Sequence, residues 1–204
     1  MQYEIATLCI RIGGIPAALE GIAAFTAASA ARGRLLGVWT ADIGVLNEIH
    51  VLRGFADGAE LAAERRRTRE AASPFNAGDV LADFRLDTYQ PLPCLPPVTP
   101  GRFGAVYEIR SYALKPGGVL PTAAAWEAAL PERLKLSPLT FAGFTTDGPA
   151  RFAHIWPYAS TNDRAATRAA AVAQGIWPPK GGPAWLTGDM RSTIALPAAF
   201  SPLA

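Results

Sequence analysis

The 204-residue chain has two histidines, His50 and His154. Each lies in a strand-like run, Asn47-Glu48-Ile49-His50-Val51-Leu52 and Phe152-Ala153-His154-Ile155-Trp156. Imidazole titrates near pH 6.5, so it can take or give a proton, or ligate a metal or haem iron. Strand alternation puts Glu48, His50 and Leu52 on one face and Ile49 and Val51 on the other; likewise Phe152, His154 and Trp156 oppose Ala153 and Ile155. A sheet with helices on one face is expected to turn its plain aliphatic set toward them. That predicts both histidines on the face away from the helices. Glu48 shares His50's face and can orient or charge the imidazole. His50 and Glu48 are therefore the candidate catalytic pair, and His154 with Trp156 a candidate pocket wall. The plainer alternatives are a structural imidazole hydrogen-bonded in a partly polar core and, for Glu48, a solvated strand end.

Trp39, Trp156 and Trp177 are candidates to line an apolar pocket, or else they pack the core. Arg110 and Tyr112 share a face with Glu108. If that face is luminal, Arg110 can bind a substrate carboxylate; if not, it pairs with Glu108 at the surface. The run Arg65, Arg66, Arg67 and Arg69, beside Glu64 and Glu70, reads as a solvated helix face. The sequence has no G-x-S-x-G, H-E-x-x-H, Walker loop or dinucleotide fingerprint, and no Cys or His spacing for zinc. No cofactor and no metal is expected. A formal charge of +2 with 18% charged residues gives no basic face for nucleic acid.

These residues need a scaffold, and the scaffold is repeated. Tyr3-Glu4-Ile5 returns as Tyr107-Glu108-Ile109, and Gly13-Gly14-Ile15 as Gly117-Gly118-Val119, both 104 positions on. His50-Val51 and His154-Ile155 share that spacing, Arg65 and Arg168 lie 103 apart, and Pro91 and Pro197 lie 106 apart. Ordered matches at nearly constant spacing indicate duplication. The units span 1–97 and 104–204, joined by the stiff run Pro91-Leu92-Pro93-Cys94-Leu95-Pro96-Pro97. Each reads as β-α-β-β-α-β, the ferredoxin-like order. In the first unit, strands are expected at Gln2 to Arg11, Leu35 to Ala41 and Asn47 to Arg53. The first helix runs from Pro16 to about Arg32 with Leu19, Ile22, Ala23 and Thr26 on its stripe. Asp57 with Glu60, and Ser160 with Asp163, form capping boxes. Phe84 to Tyr89 and Met190 to Leu196 close the units. Two helices cover one face of such a sheet, so the other face must be buried against the second unit. The fold class is α+β, two ferredoxin-like units packed face to face.

The segment Leu36-Gly37-Val38-Trp39 through Ile43-Gly44, Leu46-Asn47 and His50 resembles the NIPSNAP pattern, continued by Glu64-Arg65-Arg66-Arg67. So do Tyr107-Glu108-Ile109-Arg110 with its Leu114-Lys115-Pro116-Gly117 exit, and His154-Ile155-Trp156-Pro157-Tyr158 with Arg164 and Arg168. The resemblance covers both halves and implies an intrachain dimeric α+β barrel. Each half departs from the pattern where the other keeps it: Leu52-Arg53-Gly54-Phe55 replaces Trp-Pro-Tyr in the first. Phe144-Thr145-Thr146-Asp147-Gly148-Pro149 replaces the Trp-turn-Asn segment in the second. Two unequal pockets, or one, are implied. The function expected is binding of a small apolar or aromatic molecule by His154, Trp156, Trp39, Arg110 and Tyr112 without defined catalysis. The alternative is a cofactor-light oxygenase or isomerase using a luminal histidine. Neither nucleic acid nor membrane is an expected partner, and homo-oligomerisation stays open. Cys9 and Cys94 are expected to be free thiols, the N-terminus lacks the basic region of a signal peptide, and a cytoplasmic location follows as the expectation.

Overall fold

A computed structural model describes residues 1–204. The first unit comprises β1 (Gln2–Ile10), α1 (Ile15–Ala27), β2 (Arg34–Ile43), β3 (Glu48–Phe55), α2 (Gly58–Glu70) and β4 (Leu81–Pro91). The second comprises β5 (Val106–Leu114), α3 (Val119–Arg133), β6 (Phe141–Thr145), β7 (Arg151–Tyr158), α4 (Thr161–Ala173) and β8 (Leu186–Pro197). The strands close into one barrel in the order β1-β3-β2-β8-β5-β7-β6-β4. Pairing of β2 with β8 and of β4 with β6 joins the two ferredoxin-like sheets edge to edge. Closure removes every unpaired sheet edge. No helix is long and apolar enough to cross a membrane.

Local signals explain the element ends. Gly13 and Gly117 adopt φ of 80° and 78° at the two strand-to-helix turns, a region open to glycine. Asp57 accepts hydrogen bonds from the Ala59 and Glu60 N–H groups and Ser160 from that of Asp163. The reciprocal bonds reach one residue further back than in a standard capping box: Glu60 accepts from Ala56 N and Asp163 from Ala159 N. Helix α1 stops at Ala27, short of Arg32, and buries Ala18, Ile22 and Phe25. Ile22 alone of the expected stripe is fully buried, because the sheet meets the helix one residue around from Leu19 and Ala23.

Three buried layers result. Tyr3, Ile5, Trp39, Leu52, Tyr107, Phe141 and Ile155 fill the barrel. Ala6, Leu8, Ile22, Val51 and Phe75 lie between the first sheet and its helices, and Trp126, Phe144, Phe152 and Trp156 lie between the second sheet and its own.

The strand pairs correct one reading of the repeat. Tyr3 faces Gly54 across β1 and β3, whereas Tyr107 faces Pro157 across β5 and β7. Gly54 therefore corresponds to Pro157, a spacing of 103 rather than 104. The counterpart of His50 is Ala153, and that of His154 is Val51. A one-residue slip turns each side chain to the opposite face. His50 lies opposite Thr7 on the luminal side, as expected; His154 lies opposite Arg110 and faces the helices instead. Aliphatic character could not decide the second case because both faces of this sheet are buried. Ala153 and Ile155 pack in the barrel interior.

Candidate functional site: a sheet–helix pocket in the second repeat

His154 is 3% exposed and sits under α3, its ring 4.8 Å from that of Trp126 and 5.1 Å from that of Tyr112. Trp156 Nε1–H donates to His154 Nδ1 at 2.8 Å. Indole is a donor only, so Nδ1 must be the bare nitrogen and the neutral ring carries its proton on Nε2. Burial, then Arg110, Arg168 and Arg133, holds the pKa well below 6.5, so the ring is neutral near pH 7. Nε2 is buried and has no hydrogen-bond partner. Thr122 Oγ1, from α3, is equally buried and equally unpartnered.

Both residues line a cavity of about 430 Å³ between β5, β7, α3, α4 and the segment leading to β8. Arg110, Tyr112, Trp126, Arg168, Trp177 and Met190 also line it. Trp126 and Trp177 meet edge to face with centroids 4.7 Å apart. Behind them the Arg133 guanidinium lies 4.2 Å from the Trp156 ring centroid. An aromatic wall beside a fixed N–H donor and a free hydroxyl can hold a flat molecule by one face and by one oxygen.

The matching space in the first repeat is closed. Aligned through the strand registers and the glycine turns, Arg110, Tyr112, Thr122, Trp126 and His154 replace Ala6, Leu8, Ala18, Ile22 and Val51, which form an apolar core. Phe75, fully buried in the Pro74–Asn76 turn, completes the filling at 5.2 Å from Phe25. That turn needs Gly21: a Cβ there would lie 2.4 Å from Asn76 O. Ala125 stands at the corresponding place on α3, and there the chain comes in with Gly182, where a Cβ would lie 3.6 Å from that of Ala125.

The luminal pair lies elsewhere. Glu48 and His50 line a separate opening of about 390 Å³ at one end of the barrel, with Thr7, Arg85, Asp87, Ser111, Arg151 and Arg191. His50 Nε2 is 3.6 Å from Glu48 Oε2, and Nδ1 is 3.3 Å from Thr7 Oγ1. Burial, then Arg85, lowers the His50 pKa to about 4; burial raises that of Glu48.

Of the expected ligand-binding residues, His154, Arg110 and Tyr112 come together, with Trp156 fixing the histidine from behind. Trp39 does not join them: it is fully buried in the barrel, 5.2 Å from Tyr107. Arg110 is neither luminal nor at the surface; it donates to Glu108 at 2.8 Å and to the Tyr112 hydroxyl at the pocket wall. The basic run of α2 is not merely solvated, since Arg65 and Arg67 pair with Glu4, Asp147 and Glu64. Thr122 and Trp126 carry no motif; only comparison of the two repeats position by position marks them. Cys9 and Cys94 are free thiols.

The NIPSNAP family model matches residues 3–84 and 107–202, one stretch in each repeat. An anthrone oxidase-like protein of solved structure is similar in fold, with 12% identity over 98% of this chain and 93% of its own and a TM-score of 0.69. A NIPSNAP family protein with unknown function from Agrobacterium tumefaciens is 31% identical, covering 50% of this chain and 96% of its own with a TM-score of 0.43. An uncharacterised NIPSNAP domain protein from Burkholderia xenovorans is 23% identical over 47% of this chain and 96% of its own, with a TM-score of 0.41. No curated protein matches with significant similarity. With its two repeats both matched, the chain belongs to the NIPSNAP family.

Proposed function

We propose that this protein binds a small aromatic molecule in the sheet–helix pocket of its second repeat, as a binding protein rather than by a defined reaction. The observation that carries the reading is the pair of buried, unpartnered polar atoms, His154 Nε2 and Thr122 Oγ1, on a cavity that Tyr112, Trp126 and Trp177 also line. An orphaned buried donor costs about 1–3 kcal/mol. A ligand oxygen at that position recovers the loss. Titration with 2-naphthamide, a neutral bicyclic carbonyl compound, tests this by calorimetry. Saturable binding at one site is expected, weakened about tenfold or more in Trp126→Ile, where the first repeat's residue removes the stacking surface. Absence of saturable binding, or equal affinity in the variant, contradicts the proposal.

A second reading, proton transfer by a luminal histidine, attaches to His50 with Glu48. It is favoured by their 3.6 Å approach and by the unpartnered His50 Nε2 at the barrel opening. Under it, His50→Gln removes about 10²–10⁴ of turnover of a suitable oxygenase or isomerase substrate. Unchanged turnover sinks it.

A further inference from the structure

The two repeats carry matching charge clusters on the helix side of their first strands, and only one is balanced. In the first, Arg53, Arg65 and Arg67 meet three carboxylates: Glu4, Glu64 and Asp147. In the second, Arg110, Arg164 and Arg168 share one, Glu108. Arg133, 3% exposed, hydrogen-bonds only to the neutral Ser137 and Tyr158. The missing carboxylates can be located. Glu64 on α2 corresponds to Thr167 on α4, and Asp147 comes from the β6–β7 turn, whose counterpart at 44–47 has no acidic residue. Of the under-neutralised guanidiniums, Arg110 and Arg168 line the aromatic cavity. Arg168 reaches Glu108 only at 3.5 Å.

We propose that the ligand of this pocket is an aromatic carboxylate, its anionic group set at Arg110 and Arg168 and its ring packed against the wall formed by Trp126 and Trp177. The inference rests on the pocket reading above and adds the charge. The ligand carboxylate supplies to Arg168, in the second repeat, the counter-charge that Asp147 supplies to Arg65 in the first. Guanidinium presents a planar fork of donors matched to a carboxylate. The wall of the cavity is partly shielded from water, which strengthens the pairing over that of a surface contact.

The test compares 2-naphthoate with 2-naphthamide, which share a ring and differ in charge, on the full chain by calorimetry. The acid is expected to bind about 10- to 100-fold tighter, as a hydrogen bond between charged groups outweighs a neutral one. The margin is expected to shrink as salt rises. Arg168→Gln, at a half-exposed and loosely paired position, is expected to bring the two affinities within about threefold. Equal binding of acid and amide to the unmodified chain overturns the charge inference and leaves the pocket standing. Failure of both compounds to bind overturns the pocket reading and the inference with it. A preference for the acid that survives Arg168→Gln places the anion elsewhere and also overturns the inference.

Discussion

Between sheet and helices, the first repeat is packed with Ala6, Leu8, Ala18, Ile22 and Val51, and Phe75 is driven in from the side. The second repeat sets Arg110, Tyr112, Thr122, Trp126 and His154 at the same five places and leaves a cavity of about 430 Å³. One backbone plan therefore carries two energetic designs. The first repeat satisfies its charges and fills its space. The second keeps Thr122 Oγ1 and His154 Nε2 without partners where the first has Ala18 and Val51, each at a cost in stability. Closure into one barrel ties the costly half to the well-packed one, so the pocket is held by a sheet that it does not itself stabilise.

The largest expected effect lies in the first repeat's balanced cluster. Glu64, 1% exposed, pairs with Arg53 and Arg67 and accepts the Arg32 N–H. Glu64→Ala leaves the buried Arg53 short of a partner and is expected to cost about 3–5 kcal/mol in denaturant titration. A loss below about 1 kcal/mol breaks the claim that this half carries the stability.

The histidines give the next test. The unfolded chain protonates His50 as pH falls through 6.5, while the folded chain keeps it neutral until about pH 4. Stability is therefore full above pH 6.5 and declines across that window, by about 3 kcal/mol at its acid end. His154 adds in the same direction, and Glu48, with its pKa raised, works against both. In His50→Gln the slope between pH 6.5 and 5 is expected to fall by about one proton. An unchanged slope contradicts the burial of a neutral His50.

A smaller effect tests why only one pocket is open. Gly21→Ala puts a methyl against Asn76 O and is expected to cost about 1–3 kcal/mol, as overpacking does. Unchanged melting removes the close approach of the Pro74–Asn76 turn as the cause of the filled space. The smallest effect is expected at Thr122→Ala, which installs the first repeat's residue. It removes an orphaned hydroxyl along with one methyl, so stability should stay within about 1 kcal/mol, while 2-naphthamide binding weakens. A large loss of stability marks Thr122 as a packing residue instead.

Much of the fold is legible in the sequence. The paired glycine turns, the helix caps at Asp57 and Ser160, and the proline linker fix element order, and the uncovered face of each sheet predicts their union. The site is half legible. His154, Trp156, Arg110 and Tyr112 stand out by residue type, yet alternation on a strand buried on both faces cannot say which side is the lumen. The histidines stand 104 apart and hide the slip to 103, a spacing that Arg65 with Arg168 and Asp57 with Ser160 carry. Thr122 and Trp126 lie on an alanine-rich helix where nothing local marks them. The enclosing segment between α4 and β8 carries only a short 3-10 helix, Gly182–Trp185, too brief for periodicity to mark.

Having two histidines in the chain makes the central claim directly measurable. Side-chain nitrogen–proton NMR on the imidazoles, followed during titration with 2-naphthoate, reports each one separately. The His154 signals are expected to show a ring protonated at Nε2 and bare at Nδ1 before ligand is added, and to shift on binding while those of His50 stay in place. Movement at His50 with His154 unchanged would assign binding to the barrel opening and contradict the account.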